Sequence, residues 1–511
     1  FPDFTTLAPG RMLVIVEDPA AFSARYQNPS SQWYYADIQV IGEWVGGLGN
    51  SETIELVTSN NTTLLSIDYR AGGDWPERTS GDGSSLSQRT PALAPNTQPD
   101  LDIYLNNGLN WRSSSLYHGS PGRFDPFVNA IVIHEVLSHT DLGVDWIELY
   151  NRSGGPVFLD DYALTDDLDQ PTRYLFPSGT VIAANSFLSL DASQLGFGFS
   201  ELGSDAALLQ VSNSLTARFI DTVDFPAAER EEPFGRHLRS DGFYDFTELL
   251  TVTRDASNAP PRIGPVIISE IMFVPSPGLS PYIELLNLSN APIPLYDIAI
   301  PTNIWRFTGV GDFSFPPGTV IGGCSNIVLC ATNPATFRAQ YGLGTGVDVF
   351  GPWAGGLDPD GEQLRLLRPG NPEPDGFVPY YRVDLVSYRT NAFWPTANTG
   401  GISLERFPAV SYGNDPINWR ASAPGGSPGV DTTIPAPFAI AGSISMDGDA
   451  FRVAFPAAVG ERYEIQFSDS LLPALWQPLI QVPSAPSNML EIIDTSVTNR
   501  MRRYYRVRWV R

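Results

Sequence analysis

Residues 130–166 read AIVIHEVLSHTDLGVDWIELYNRSGGPVFLDDYALTD, and residues 265–300 read PVIISEIMFVPSPGLSPYIELLNLSNAPIPLYDIAI. The two stretches are variations on one phrase. Each opens with a run of β-branched residues carrying a glutamate, Glu135 or Glu270. Each then reaches an aromatic-Ile-Glu-Leu-x-Asn run and a turn rich in Gly, Pro, Ser or Asn. WIELYN and YIELLN alternate apolar and polar side chains, the period of a strand with one buried and one wet face. Turn residues on both sides keep the runs short, as strands are.

Outward from this phrase the likeness continues. FPSGTVIAANSFLSLD at Phe176 aligns with FPPGTVIGGCSNIVLC at Phe315, and both align with the opening FPDFTTLAPGRMLVIV. EDPAAFSARYQ at Glu17 matches TNPATFRAQYG at Thr332. GEWVGGLGN at Gly42 matches GPWAGGLDP at Gly351, and DYRAGGDWP at Asp68 matches SYRTNAFWP at Ser387. NWRSSS at Asn110 matches NWRASA at Asn418, with GSPG closing both at Gly119 and Gly426. Self-similarity of this kind marks a repeat architecture. The first copy starts at the FP phrase, so about 45 residues of a repeat are expected upstream or from another chain.

Strand-like runs recur throughout, including MLVIV, TIELV, FRVAF, YEIQF and YYRVRWV, with no long 3.6-residue periodicity. The two exceptions are DPAAFSARYQ and NPATFRAQYG, where Asp or Asn before Pro signals a short helix. Closely spaced strands without βαβ alternation imply an all-β chain of sandwiches. The expected division is a partial repeat at 1–124 lacking its first strands, whole repeats at 125–262 and 263–430, a Pro/Thr linker at 431–437 and a small C-terminal β module at 438–511.

Composition narrows the function classes. Net charge is −25 with a pI near 4.4, which argues against nucleic acid as a partner. No apolar run is long enough to span a membrane. The chain contains no lysine, which excludes Schiff-base chemistry, a phosphate-loop lysine and lysine–asparagine crosslinks. On one straight strand Cys324 and Cys330 would lie about 20 Å apart at ~3.3 Å per residue. A disulfide therefore needs a turn between them, and Gly322 and Gly323 leave that open.

The pattern E-[VI]…[WY]-I-E-L-x-N…FP-x-G-T…NP-x-x-F…W-R-x-S…GSPG resembles the bacterial lamin-tail-domain repeat over residues 1–430. PFGRHLRSDGFYDF and TRDASNAP in the second copy are similar to that family's later segments. The resemblance implies tandem immunoglobulin-like β-sandwiches and a non-catalytic module of secreted or surface proteins. The tail from Phe451 resembles small fibronectin-like modules, completing the picture with a small C-terminal β-sandwich.

No residues compose a catalytic site. HEVLSH spaces His134 and His139 five apart, where a zincin helix needs four, and on a strand they face opposite sides. His118 and His237 lack triad-like partners. Glu135, Glu148, Glu270 and Glu284 recur as pairs; as acid and base they would suit a glycosidase. Duplication in tandem without a cleft fits better with carboxylates that accept turn amides or pair with arginine. Asp358, Asp360 and Glu362 sit on a Gly-containing loop and are the candidate calcium ligands, calcium being the one cofactor considered. Sequons at Asn60, Asn61, Asn151 and Asn287 allow surface glycosylation.

The expected role is an extracellular, non-enzymatic structural protein of a bacterial surface. An incomplete first sandwich exposes strand edges, which a neighbour's strands can cover. Such a contact builds open filaments or layers. Candidate interface residues are Phe1, Leu13 and Ile15 on the incomplete repeat and Arg503, Arg506 and Arg508 in the arginine-rich tail. The alternatives are a calcium-assisted polysaccharide-binding or adhesion module, with Trp33, Tyr34, Tyr35 and Trp44 as aromatics, and an appendage of a larger secreted enzyme.

Overall fold

The computed structural model describes the chain apart from residues 36, 73–74, 90–93, 96, 98–99, 126–129, 142, 312, 391–392, 430–443, 448–449, 457–461, 469–476, 483–488, 495–503 and 510–511. The chain is all-β and divides into two compact units, Phe1–Arg262 with Pro369–Arg382 and Ile263–Arg368 with Val383–Arg511. The expected linker, 431–437, lies outside the described residues.

In the first unit the opening repeat contributes β1 (Leu13–Ile15), β2 (Gln39–Ile41), β3 (Glu52–Val57), β4 (Thr63–Tyr69), β5 (Leu86–Gln88) and β6 (Trp111–Ser113). They form three separate pairs: β1 with β2 in parallel, and β3–β4 and β5–β6 antiparallel. The second repeat supplies β7 (Ile131–Leu137), β8 (Trp146–Asn151), β9 (Val157–Phe158), β10 (Tyr162–Thr165), β11 (Tyr174–Leu175), β12 (Val181–Ile182), β13 (Phe187–Asp191), β14 (Gly203–Ser212), β15 (Leu215–Pro226), β16 (Phe234–Leu238) and β17 (Tyr244–Glu248). A five-stranded sheet, β13-β8-β7-β16-β17, packs on a four-stranded one, β11-β10-β14-β15. Ile133, Ile147 and Leu149 from one meet Leu164, Leu208 and Phe225 from the other.

The third repeat holds β18 (Val266–Met272), β19 (Tyr282–Asn287), β20 (Ile293–Pro294), β21 (Arg306–Thr308), β22 (Phe313–Ser314), β23 (Val320–Ile321), β24 (Asn326–Cys330), β25 (Asp348–Phe350), β26 (Gly361–Pro369), β27 (Tyr380–Arg389), β28 (Leu404–Arg406) and β29 (Trp419–Ala421). Here a six-stranded sheet, β25-β24-β19-β18-β28-β29, packs on β22-β21-β26-β27. Ile268, Ile283, Leu285 and Leu329 meet Phe307, Leu364, Leu366 and Val386 in its core. Each such aliphatic, removed from water, stabilises the sandwich by about 1.5–3 kcal/mol. The tail adds β30 (Ile444–Asp447), β31 (Ala450–Pro456), β32 (Tyr463–Ser468), β33 (Gln477–Val482), β34 (Met489–Asp494) and β35 (Tyr504–Trp509) in two three-stranded antiparallel sheets around Tyr463, Ile465, Leu490 and Ile492.

The two helix signals hold. Asp18 caps Pro19–Phe22 by accepting Ala20 N at 2.8 Å, and Asn333 caps Pro334–Tyr341 by accepting Ala335 N at 2.9 Å. After Phe22 the first helix widens into a π-turn at Ser23–Gln27.

Strand for strand, the first repeat reproduces parts of the third. β1 and β2 correspond to β24 and β25: Leu13 opposes Gln39 as Ile327 opposes Asp348, both in parallel. β5 and β6 correspond to β28 and β29, with Leu86 opposing Ser113 as Leu404 opposes Ala421. Trp75 and Trp111 stack with ring centres 6.0 Å apart, and Trp394 and Trp419 lie tilted at the same 6.0 Å. The second indole of each pair donates to a carbonyl six residues back, Leu105 O at 2.8 Å and Gly413 O at 2.7 Å. The first repeat has no counterpart of β18 and β19 among the described residues, the two strands that separate β24 from β28.

Candidate functional site

The duplicated glutamates are the centre of each whole repeat. A β-bulge interrupts the pairing between Ile133 and Glu135, and another between Ile268 and Glu270. The extra residue sets Glu135 opposite Glu148 and Glu270 opposite Glu284. All four are buried. Glu135 accepts Thr253 N at 2.9 Å and its hydroxyl at 2.6 Å, while Glu148 accepts Asp255 N and the Ser189 hydroxyl. In the third repeat Glu270 accepts Ser427 N at 2.9 Å, Tyr282 OH at 2.6 Å and the Ser403 hydroxyl. Glu284 accepts Gly429 N at 2.7 Å and the Ser269 hydroxyl at 2.9 Å.

In both repeats the paired carboxylates thus clamp two amides, two residues apart, in the loop that closes the repeat. Burial pushes Glu148 and Glu284 up to about 7 and raises Glu135 and Glu270, against the pull of these hydrogen bonds. The carboxylates are anchors with no open face for a substrate.

Asn151 and Asn287 end the same strands. Both are fully buried. Asn287 Nδ2 donates to Ala291 O and Gly322 O, each at 2.8 Å, and its Oδ1 accepts Ser289 N at 2.9 Å. Asn151 repeats the arrangement with Gly155 O at 2.8 Å, Ala183 O at 3.0 Å and Ser153 N at 2.9 Å. These two sequons are therefore closed to glycosylation, a correction to the sequence reading. Asn60 and Asn61 are exposed.

An arginine–aspartate pair, missed in the sequence, braces each bulge. Asp384 accepts Ile268 N at 2.8 Å and meets Arg406 at 2.6 Å, with both side chains buried. Asp221 accepts Ile133 N at 2.8 Å and meets Arg236. The available signal was the arginine two residues beyond the buried apolar residue of PFGR and SLER.

In the first repeat a groove of about 800 Å³ runs between β1 and β5. Met12, Leu13 and Val14 line one side, Leu86 and Gln88 the other, and Ser120 and Gly122 lie along it. Ile15 is 46% exposed, whereas its counterpart Leu329 is fully buried. Ser85 is exposed, whereas its counterpart Ser403 is buried. β3 likewise exposes all six residues along the edge where β26 pairs with β21. Aromatic contacts hold the groove's walls together: Tyr26 OH donates to His118 O at 2.7 Å, Trp33 meets His118 edge-on, Tyr35 stacks on Tyr26, and Arg123 lies 3.4 Å over Tyr35. Burial, with Arg25 nearby, lowers His118 to about 4, so the ring is neutral.

The remaining sequence candidates fall as follows. Phe1 is exposed and Leu13 half-buried. Leu13 and Ile15 share β1 beside the groove; Arg503 lies outside the described residues. Arg506 and Arg508 oppose Gln466 and Glu464 in the β32–β35 ladder, and their side chains are not among those described. Asp358 Oδ1 accepts Asp360 N at 2.9 Å, and Glu362 accepts Asp358 N at 3.2 Å, so both carboxylates serve the turn itself. Among the described residues no three His, Cys, Asp or Glu side chains group to hold a metal. His134 packs between Tyr150 and Phe187, while His139 meets Ala228 O and Glu201. Cys324 is exposed, Cys330 is buried, and both are free thiols. Among the described residues no helix is long and apolar enough to cross a membrane.

The family model of the Lamin Tail Domain matches residues 127–226, from the glutamate-bearing strands of the second repeat to the end of β15. That family is a non-catalytic immunoglobulin-like β-sandwich. No curated protein matches the chain.

Proposed function

We propose that this chain is a non-enzymatic structural protein of a bacterial outer surface, one that assembles by strand complementation. The observation that carries the reading is the groove of the first repeat, whose walls are strands that sit side by side with a central hairpin in the third. Unpaired strand edges recruit partner strands. A strand given by one molecule to the acceptor of the next makes a heterologous contact, and repetition yields an open filament or layer. The burial of every duplicated glutamate supports a scaffold role and argues against hydrolysis.

Sedimentation and electron microscopy of the purified chain test this. Concentration-dependent, open-ended oligomers are expected, reduced by Ile15→Arg, which places a charge on the exposed β1 edge without touching a core. A monomer at every concentration, with Met12–Ile15 amides protected from exchange, would refute it.

A further inference from the structure

Within the strand-complementation reading, on which this inference rests, the groove specifies the chemistry of its occupant. In the second and third repeats the closing loop offers two backbone N–H groups two residues apart, and each is taken by a glutamate from the central hairpin. The first repeat has the same loop. Gly119 and Gly122 hold φ of 80° and 74°, as Gly426 and Gly429 hold 66° and 70°. Gly119 N donates to Leu116 O at 3.0 Å, as Gly426 N donates to Ala423 O at 3.1 Å. Ser85 N donates to the Ser114 hydroxyl at 2.9 Å, as Ser403 N donates to that of Ser422 at 2.9 Å. The acceptor half is therefore already built.

What differs is the partner. Ser427 N and Gly429 N end on Glu270 and Glu284, and the Ser403 hydroxyl on Glu270. Ser120 N, Gly122 N and the Ser85 hydroxyl have no partner among the described residues, and all three residues line the groove. Arg11, Arg89 and Arg123 line it too, while Arg112 and Asp125 in the same wall neutralise one another as an ion pair, which leaves a net positive setting in a chain of net charge −25. Unmet amide donors in a cationic slot favour carboxylate over neutral acceptors.

From this we infer that the groove takes, from a neighbouring polypeptide, an antiparallel β-hairpin carrying one glutamate on each strand at directly opposed positions. Its two strands pair with β1 and β5, restoring a six-stranded order in which β2 and β6 are the edges. One carboxylate receives Ser120 N and the Ser85 hydroxyl; the other receives Gly122 N.

The test adds, to the full chain, a carrier protein bearing residues 265–288 of this sequence as the hairpin, and a matched carrier bearing the Glu270→Gln/Glu284→Gln hairpin. Hydrogen exchange is followed at 12–15, 85–88 and 120–122. The parent hairpin is expected to slow exchange at all three and to bind at least tenfold tighter than the glutamine form. The Ser85→Ala chain should lose part of that preference while β1 stays protected. Equal binding of both hairpins overturns the carboxylate inference and leaves strand complementation standing. Failure of both to bind or protect overturns the two together. Protection of the three segments in the unsupplemented chain, independent of concentration, means the slot is closed from within, and the inference falls.

Discussion

Replacing Glu284 by glutamine isolates the electrostatic cost of the glutamate clamp. Burial, with Glu270 opposite, raises the Glu284 carboxyl from 4.5 to about 7. A carboxyl that binds its proton more tightly in the folded state stabilises that state fully below the unfolded value near 4.5. The contribution drains away as pH rises through the folded value near 7. A displacement of about 2.5 units at about 1.4 kcal/mol per unit makes the decline about 3 kcal/mol between pH 4.5 and 8. Glutamine keeps an oxygen for Gly429 N, now 2.7 Å from the carboxylate, and a polar contact for Ser269, but it cannot ionise.

Local opening of β18 and β19 is read by hydrogen exchange with mass spectrometry at pH 5, 6, 7 and 8, corrected for intrinsic exchange. The chain holds several domains, so a single unfolding midpoint would blur the effect. Opening free energy in the parent is expected to fall with pH, and by about 3 kcal/mol less in Glu284→Gln. The residual slope belongs to Glu270, which burial also raises. At pH 8 the variant's hairpin should be the more stable of the two. A flat or rising parent profile, or an unchanged slope in the variant, would refute the reasoning.

Three further outcomes follow from the same structure. Asn287→Ala strands Ser289 N and takes one of two donors from Ala291 O and from Gly322 O, which keep the Ser289 hydroxyl and Ser325 N, and should cost about 1–3 kcal/mol in the exchange stability of β19; Asn151→Ala should cost β8 a similar amount. Arg406→Met leaves the Asp384 carboxylate buried without its cation and should cost about 3–5 kcal/mol, whereas Arg406→Met/Asp384→Leu should recover at least half of the loss in urea unfolding followed at β28. A thiol reagent should modify Cys324 in the native chain and reach Cys330 only after denaturation, and non-reducing peptide maps should show no 324–330 bond.

Much of the fold was legible because local signals agreed. The strand-forming runs WIELYN and YIELLN, the turn residues between them and the Asp-Pro or Asn-Pro helix starts all pointed the same way. The wet face expected of both runs does not exist: YIELLN is buried throughout and WIELYN at all but Tyr150, because the closing loop covers the glutamates. Their duplication left the glutamates as acceptors of turn amides or partners of arginine, and the fold gives them the amides. Their mutual placement was not legible, because the bulges at His134 and Ser269 break the strict period on which a facing argument depends. Asn151 and Asn287 drew attention as sequons, although N-x-S ahead of a Gly- or Asn-containing turn is equally an Asx-turn signature. Arg406 and Asp384 lie 22 residues apart on β28 and β27, strands of the two different sheets, and only the packing of one sheet on the other reveals the pair. In the first repeat Gln88 occupies the place of Arg406 and Leu65 that of Asp384, so the pair is lost together where there is no counterpart of β18 for it to brace among the described residues.

The aromatic clasp around Tyr26, Trp33, Tyr35 and His118 bears on the thermodynamics of any guest. It fixes the distance between two flanking strands that share no hydrogen-bond ladder, so a newcomer would spend little free energy arranging its host. Association of that kind should be governed by how fast the guest itself folds, and a stiff, preformed insert should outcompete a floppy one of identical composition.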